Sequence, residues 1–100
     1  MSANIQLSGT DDALVIKFML QKMDTNASTE VEKDVMDALA ANQGRKIVFD
    51  MAQVTYVASS FLRICLKAAR NAGPGHLSFL NLDPSVKKVF KIAGFDILVD

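Results

Sequence analysis

The sequence has no tryptophan, one cysteine, one histidine, one tyrosine and two prolines. A single cysteine, Cys65, excludes an internal disulfide and suits a reducing compartment. The one histidine, His76, has no cysteine or histidine near it in sequence, which makes a poor metal ligand set. Neither sign of charge is in excess, with 11 basic and 11 acidic residues. Nucleic-acid binding, which needs a basic surplus, is therefore not indicated. No apolar run approaches the length of a membrane span. The opening MSANIQLSG lacks the basic start and apolar core of a secretion signal. Its second residue is serine, so myristoylation is not indicated either. These absences predict a cytoplasmic protein that is not inserted in a membrane.

Catalytic arrangements are missing too. No glycine-rich phosphate loop follows a strand. Asp24 and Asp50 are single carboxylates far apart in the chain, and no pair of acids is set up for acid–base work. Cys65 falls on the apolar side of an expected helix, beyond its first turn, where cysteine is a small buried hydrophobe rather than a nucleophile. The residues predict no enzyme, no cofactor and no metal.

What is present is a chain of 100 residues, half of them apolar, enough for one domain with a modest core. Its charges are unevenly placed. Residues 1–50 carry eight acids and five bases, and residues 51–100 carry three acids and six bases. A basic third helix could pair with an acidic first helix of a second copy, or both could face water, so a homodimer stays open.

Asn4 to Ser8 alternates polar and apolar residues, as a half-buried strand does. GTDD then makes a turn into a second strand, Leu14 to Leu20, which should lie antiparallel to the first. Asp24 to Thr29 (DTNAST) is dense in helix-capping residues. Ala27, Val31, Val35, Met36, Ala38 and Leu39 follow on one helical face. Lys46 to Phe49 reads as a short strand buried on both faces. A second helix, from Ser59 or Ser60 to Asn71, is expected to bury Leu62, Cys65, Leu66, Ala69 and Ala72, with Arg63, Lys67 and Arg70 outside. His76 to Leu80 is a further strand. Asp83-Pro84-Ser85 opens a third helix that turns Val86, Val89, Phe90 and Ala93 inward. Ile97 to Val99 closes the chain as a strand. The order β-β-α-β-α-β-α-β predicts one α/β domain over residues 1–100. Its mixed, mainly parallel sheet begins with an antiparallel strand pair.

One stretch stands out. In VTYVASSFLRICLKAARNAG, Ser59 and Ser60 sit where an apolar segment becomes a helix, at the positive end of the helix dipole. One serine there can be an N-cap worth about 1 kcal/mol. Phe61 and Ile64, beside Arg63, fall away from the expected buried stripe. Phe61 either folds onto Tyr56–Val57 or offers a small apolar patch to a partner.

The run FDMAQVTYVASSFLRICLKAARNAG resembles the signature of the STAS domain, the family of the bacterial anti-sigma factor antagonists. The family pattern is an apolar strand, an Asp, a spacer with Val, then Asp-Ser-Ser-Gly-Leu and a helix. Asp50, Val54, Ser59, Ser60 and Leu62 match it. QKMDT at Gln21 to Thr25 is similar to the family's Gly-Arg-Leu-Asp-Ala. The tail LNLDPSVKKVFKIAGFDILVD is similar to the family's ending at Pro84, Ser85, Val86, Phe90, Gly94 and Phe95. Three positions depart: Ala58 replaces the Asp before the first serine, Phe61 replaces the Gly after the second, and Gln21 replaces the Gly of the earlier motif.

The resemblance implies a partner-switching regulator of transcription. Ser59 would be phosphorylated by an ATP-binding anti-sigma kinase and reset by a serine phosphatase. The partner-binding surface would comprise Met23, Asp24, Ala58, Ser60, Phe61, Arg63 and Ile64. The alternative is a phosphorylation-independent STAS subunit of a larger assembly, such as a lipid-transport complex, with Phe61 as its anchor. A third reading, an anion or nucleotide sensor at the helix start, lacks a second anion clamp in the sequence.

Overall fold

The computed structural model describes residues 4–73 and 75–94. Two short sheets and three helices follow the expected order, with one addition. Strands β1 (Ile5–Gly9) and β2 (Ala13–Phe18) form the antiparallel pair, in the register Leu7 opposite Ile16. The turn between them needs Gly9, whose φ is 131° and whose place for a Cβ lies 2.2 Å from the Ala13 carbonyl oxygen. Arg45 staples this turn to the end of the first helix. Its guanidinium donates to the carbonyls of Thr10 and Ala13 and, at 2.6 Å, to the Asn42 side chain.

The main sheet continues through β4 (Lys46–Asp50) and β6 (Leu77–Leu80), both parallel, in the order β1-β2-β4-β6. Helix α1 (Thr25–Ala41) precedes β4, α2 (Ser59–Ala72) precedes β6, and α3 (Pro84–Ile92) follows it. The addition is a second sheet, in which β3 (Lys22–Met23) pairs in parallel with β5 (Tyr56–Val57). Two residues per strand are too few to show a period in sequence. The strand expected at Ile97 to Val99 lies outside the described residues, as does Phe95.

Buried and less buried residues alternate along β2 and β4, so Leu14, Ile16, Phe18, Ile47 and Phe49 face the core while Val15 and Val48 are half-buried. The expectation that Lys46–Phe49 is buried on both faces is corrected accordingly: helices pack on one face. Five phenylalanines run across that face as edge-to-face pairs. Phe61 meets Phe18 at 5.1 Å, Phe18 meets Phe49 at 5.1 Å, Phe49 meets Phe79 at 5.7 Å and Phe79 meets Phe90 at 4.9 Å. Such T-shaped pairs let positive ring edges meet negative ring faces. The row links α2 at one end with α3 at the other. On α3, Val86 and Phe90 are buried, whereas Val89 and Ala93, expected inward, are exposed. Asp83 caps this helix, and the hydroxyl and amide of Ser85 hold its carboxyl below the usual carboxylate range.

Candidate functional site

Helices α1 and α2 start side by side because β3 and β5 do. Met23 pairs with Val57, so the next residues, Asp24 and Ala58, hold equivalent places at the two helix starts. The Ala58 amide still donates to the Met23 carbonyl at 2.9 Å, which carries the pairing into the N-cap position. Two positive helix ends therefore point the same way at neighbouring sites. The two starts are finished differently. At α1, the Asp24 carboxylate accepts from the Ala27 amide at 2.9 Å. At α2, Ala58 is the N-cap and offers no side-chain hydrogen bond.

Neither serine caps α2, which corrects the expectation that one would. Ser59 and Ser60 are already helical, at the first and second positions, while a capping side chain must come from the residue before them. The amides of Phe61 and Leu62 reach the Ala58 carbonyl at 3.0 and 3.3 Å, leaving those of Ser59 and Ser60 without a protein acceptor among the described residues. Ser59 is exposed, and Ser60 is half-buried with its Oγ closed to solvent and unpartnered. A missing cap can be supplied. Ala58→Asn should raise stability by about 1 kcal/mol, read as a higher urea midpoint at unchanged slope; an unchanged midpoint would mean that the α2 start is already satisfied.

The expected docking residues divide. Asp24, Ser59 and Arg63 are exposed, and Ala58 and Ser60 are half-buried. Met23, Phe61 and Ile64 are core residues at 0%, 0% and 2% exposure. The outward apolar patch expected at Phe61 and Ile64 is thus corrected: Phe61 does not face a partner but enters the core against Phe18. The buried stripe of α2 is Phe61, Ile64, Cys65 and Ala68. Leu62 and Ala69 are half-buried flanks and Leu66 is exposed. Cys65 is buried as expected, and burial pushes its thiol pKa well above the ordinary value, so it stays protonated.

The aromatic that does face outward here is Tyr56, 51% exposed on β5, three residues before Ser59. Nothing local in the sequence marks it, because a two-residue strand shows no period. Its place becomes visible only once β5 is known to pair with β3.

Between α1 and α2 lies a cleft of about 230 Å³ lined by Thr25, Thr29, Glu32, Ser60, Arg63, Ile64 and Lys67. Among its lining residues Lys67 binds Glu32 at 2.5 Å. Arg63 has no ion pair or side-chain hydrogen bond among the described residues. Among those residues, no group of three or more histidines, cysteines or acids could hold a metal ion. No helix among them is long and apolar enough to cross a membrane.

Comparison with known proteins agrees with this architecture. The family model described as "Mlab, STAS domain" matches residues 5–100. A Bordetella bronchiseptica protein named as an anti-sigma factor antagonist, BtrV, is 31% identical over 78 residues, which is 76% of this chain and 67% of the relative. The solved structure of the anti-sigma factor antagonist SpoIIAA in its unphosphorylated form superposes with a TM-score of 0.80 at 22% identity, covering 96% of this chain and 85% of the other. The Bacillus cell fate determinant SpoIIAA in the phosphorylated form gives 0.71 at 21% identity, covering 96% and 88%. At these identities the two structures speak for the fold. A helix start presenting a Ser-Ser pair, a mixed sheet begun by an antiparallel pair, and a family match over almost the whole chain lead to one assignment: this chain belongs to the STAS domain family.

Proposed function

We propose that the start of α2 is the working surface of a partner-switching regulator of the anti-sigma factor antagonist type. An ATP-binding anti-sigma kinase docks on the unmodified surface. The γ-phosphoryl group of its ATP passes to Ser59 Oγ, the hydroxyl proton leaves to a base or water, and ADP is released. A serine phosphatase hydrolyses the ester and resets the surface. The chain itself performs no catalysis in this scheme.

The observation that carries the reading is Ser59 itself: an exposed hydroxyl on the first residue of a helix whose first two amides have no protein acceptor among the described residues. Phosphate adds nearly two negative charges there, and the helix end accommodates them. A partner packed on Tyr56, Asp24, Ala58, Ser59 and Arg63 would meet new charge and bulk and dissociate. The fold need not change, which agrees with SpoIIAA having been solved in both phosphorylated and unphosphorylated forms. BtrV and SpoIIAA, both named as anti-sigma factor antagonists, lend the same support. The test is the intact mass of the protein from its own cells, with the peptide spanning residues 54–63 sequenced. We expect one phosphate on Ser59 under some growth condition, lost in Ser59→Ala and not transferred to Ser60. Phosphate on Ser60 in the wild-type protein would refute the site.

A second reading has its own support. Ala58 stands where the family pattern has Asp, and the matching family model carries the name Mlab. In this reading the chain is a constitutive subunit of a larger assembly, such as one that transports lipid. Ser59 then carries no phosphate under any condition, and Ser59→Ala leaves the assembly intact.

A further inference from the structure

We propose that Arg63 is a counterion built into this chain for a phosphate on Ser59. Modification would then tighten the start of α2 and at the same time withdraw the Arg63 guanidinium from the surface that a partner reads. This rests on the phosphoserine reading above.

Ser59 and Arg63 are four residues apart on one helix, both exposed. At that spacing their side chains lie on the same face, and an acid N-terminal to a base is the favourable order. Arg63 has no competing partner among the described residues. A guanidinium meets a phosphate through two parallel N–H bonds, a stronger contact than one neutral hydrogen bond. Three further features favour the pair. The amides of Ser59 and Ser60 have no acceptor among the described residues, and Ala58 brings no carboxylate beside the ester. The Ser60 hydroxyl, which lines the same cleft as Arg63, has no hydrogen bond to lose and can turn toward a phosphate oxygen by rotating about χ1. Of the other charges, Lys67 is engaged with Glu32 and Asp24 with the Ala27 amide, while Lys22 on β3 is an exposed second cation. Asp24 is the one acid at the neighbouring helix start, and its bond to Ala27 keeps it on its own helix.

The Ala58 departure thereby gains a physical role. With an Asp cap, the helix start would be negatively charged before any phosphate arrived. With alanine, the phosphate itself becomes the cap, and Arg63 closes it from the side.

The experiment places phosphoserine at position 59 during translation with a suppressor tRNA, so that no kinase is required. In the otherwise wild-type protein, phosphate should raise the thermal midpoint. It should also move the phosphorus NMR titration midpoint below the value of about 6 for unperturbed phosphoserine. Arg63→Gln should remove at least half of both shifts, Arg63→Lys should restore part of them, and the unmodified Arg63→Gln protein should melt with the unmodified parent. Equal shifts with and without Arg63, or a phosphate that lowers the melting point, would overturn the proposal. Finding Ser59 unmodified in cells would instead count against the switch and would leave this measurement as it stands.

Discussion

Phe61→Ala is expected to lower the stability of this protein by about 3–5 kcal/mol, before any partner is added. A domain of this size has roughly 5–15 kcal/mol in total, so the loss would be visible as a large drop in urea midpoint and thermal midpoint. Phe61 has 0% exposure, stacks edge-to-face on Phe18 and ends the row of five phenylalanines that crosses the sheet. Truncation leaves a cavity where α2 meets the sheet, directly beneath Ser59 and Ser60. Any binding loss in this variant would report a disordered helix start rather than a missing contact. Phe61→Leu, which keeps most of the volume, should recover a large part of the loss. A cost under about 1 kcal/mol for the alanine variant would contradict the burial described here.

Tyr56→Ala is expected to behave in the opposite way. The ring is half exposed on a two-residue strand, so the melting temperature should hardly move. Affinity for the kinase proposed above should fall at least tenfold, because aromatics at a docking point are among the residues that most often dominate an interface. Ser59→Asp should weaken the same complex by placing charge at its centre. Titration calorimetry with each variant separates the effects. Unchanged affinity of Tyr56→Ala, with Ser59→Asp still weakened, would move the contact surface off β5 and toward Arg63.

Most of the fold could be read from the chain. The capping cluster DTNAST puts the start of α1 at Asp24, and Pro84 with Asp83 opens α3 as expected. The alternation at β1 and β2 predicts an antiparallel pair, which is what forms. The face of α2 was harder. Leu62, Leu66 and Ala69 compete with Phe61, Ile64 and Ala68 as the apolar stripe, since both sets recur at helical spacing. The cue that separates them is the basic set. Arg63, Lys67 and Arg70 fix the wet side, and at about 100° per residue the opposite direction falls among Phe61, Cys65, Ala68 and Ala72. A face turned by most of one residue exchanges an expected anchor, Phe61, for a core residue. Tyr56 is illegible in the sequence for a different reason: strands of two residues are fixed by pairing across the fold, which no local pattern records.

The placement of Tyr56 also has an optical consequence. The chain contains one tyrosine and no tryptophan, so all of its phenolic absorption and emission comes from a single ring beside Ser59. The protein carries its own chromophore at the proposed contact point. Burial of that ring under a partner, or arrival of a phosphate three residues away, changes the only near-ultraviolet signal above the phenylalanine bands. The core, built from phenylalanine, stays dark at those wavelengths.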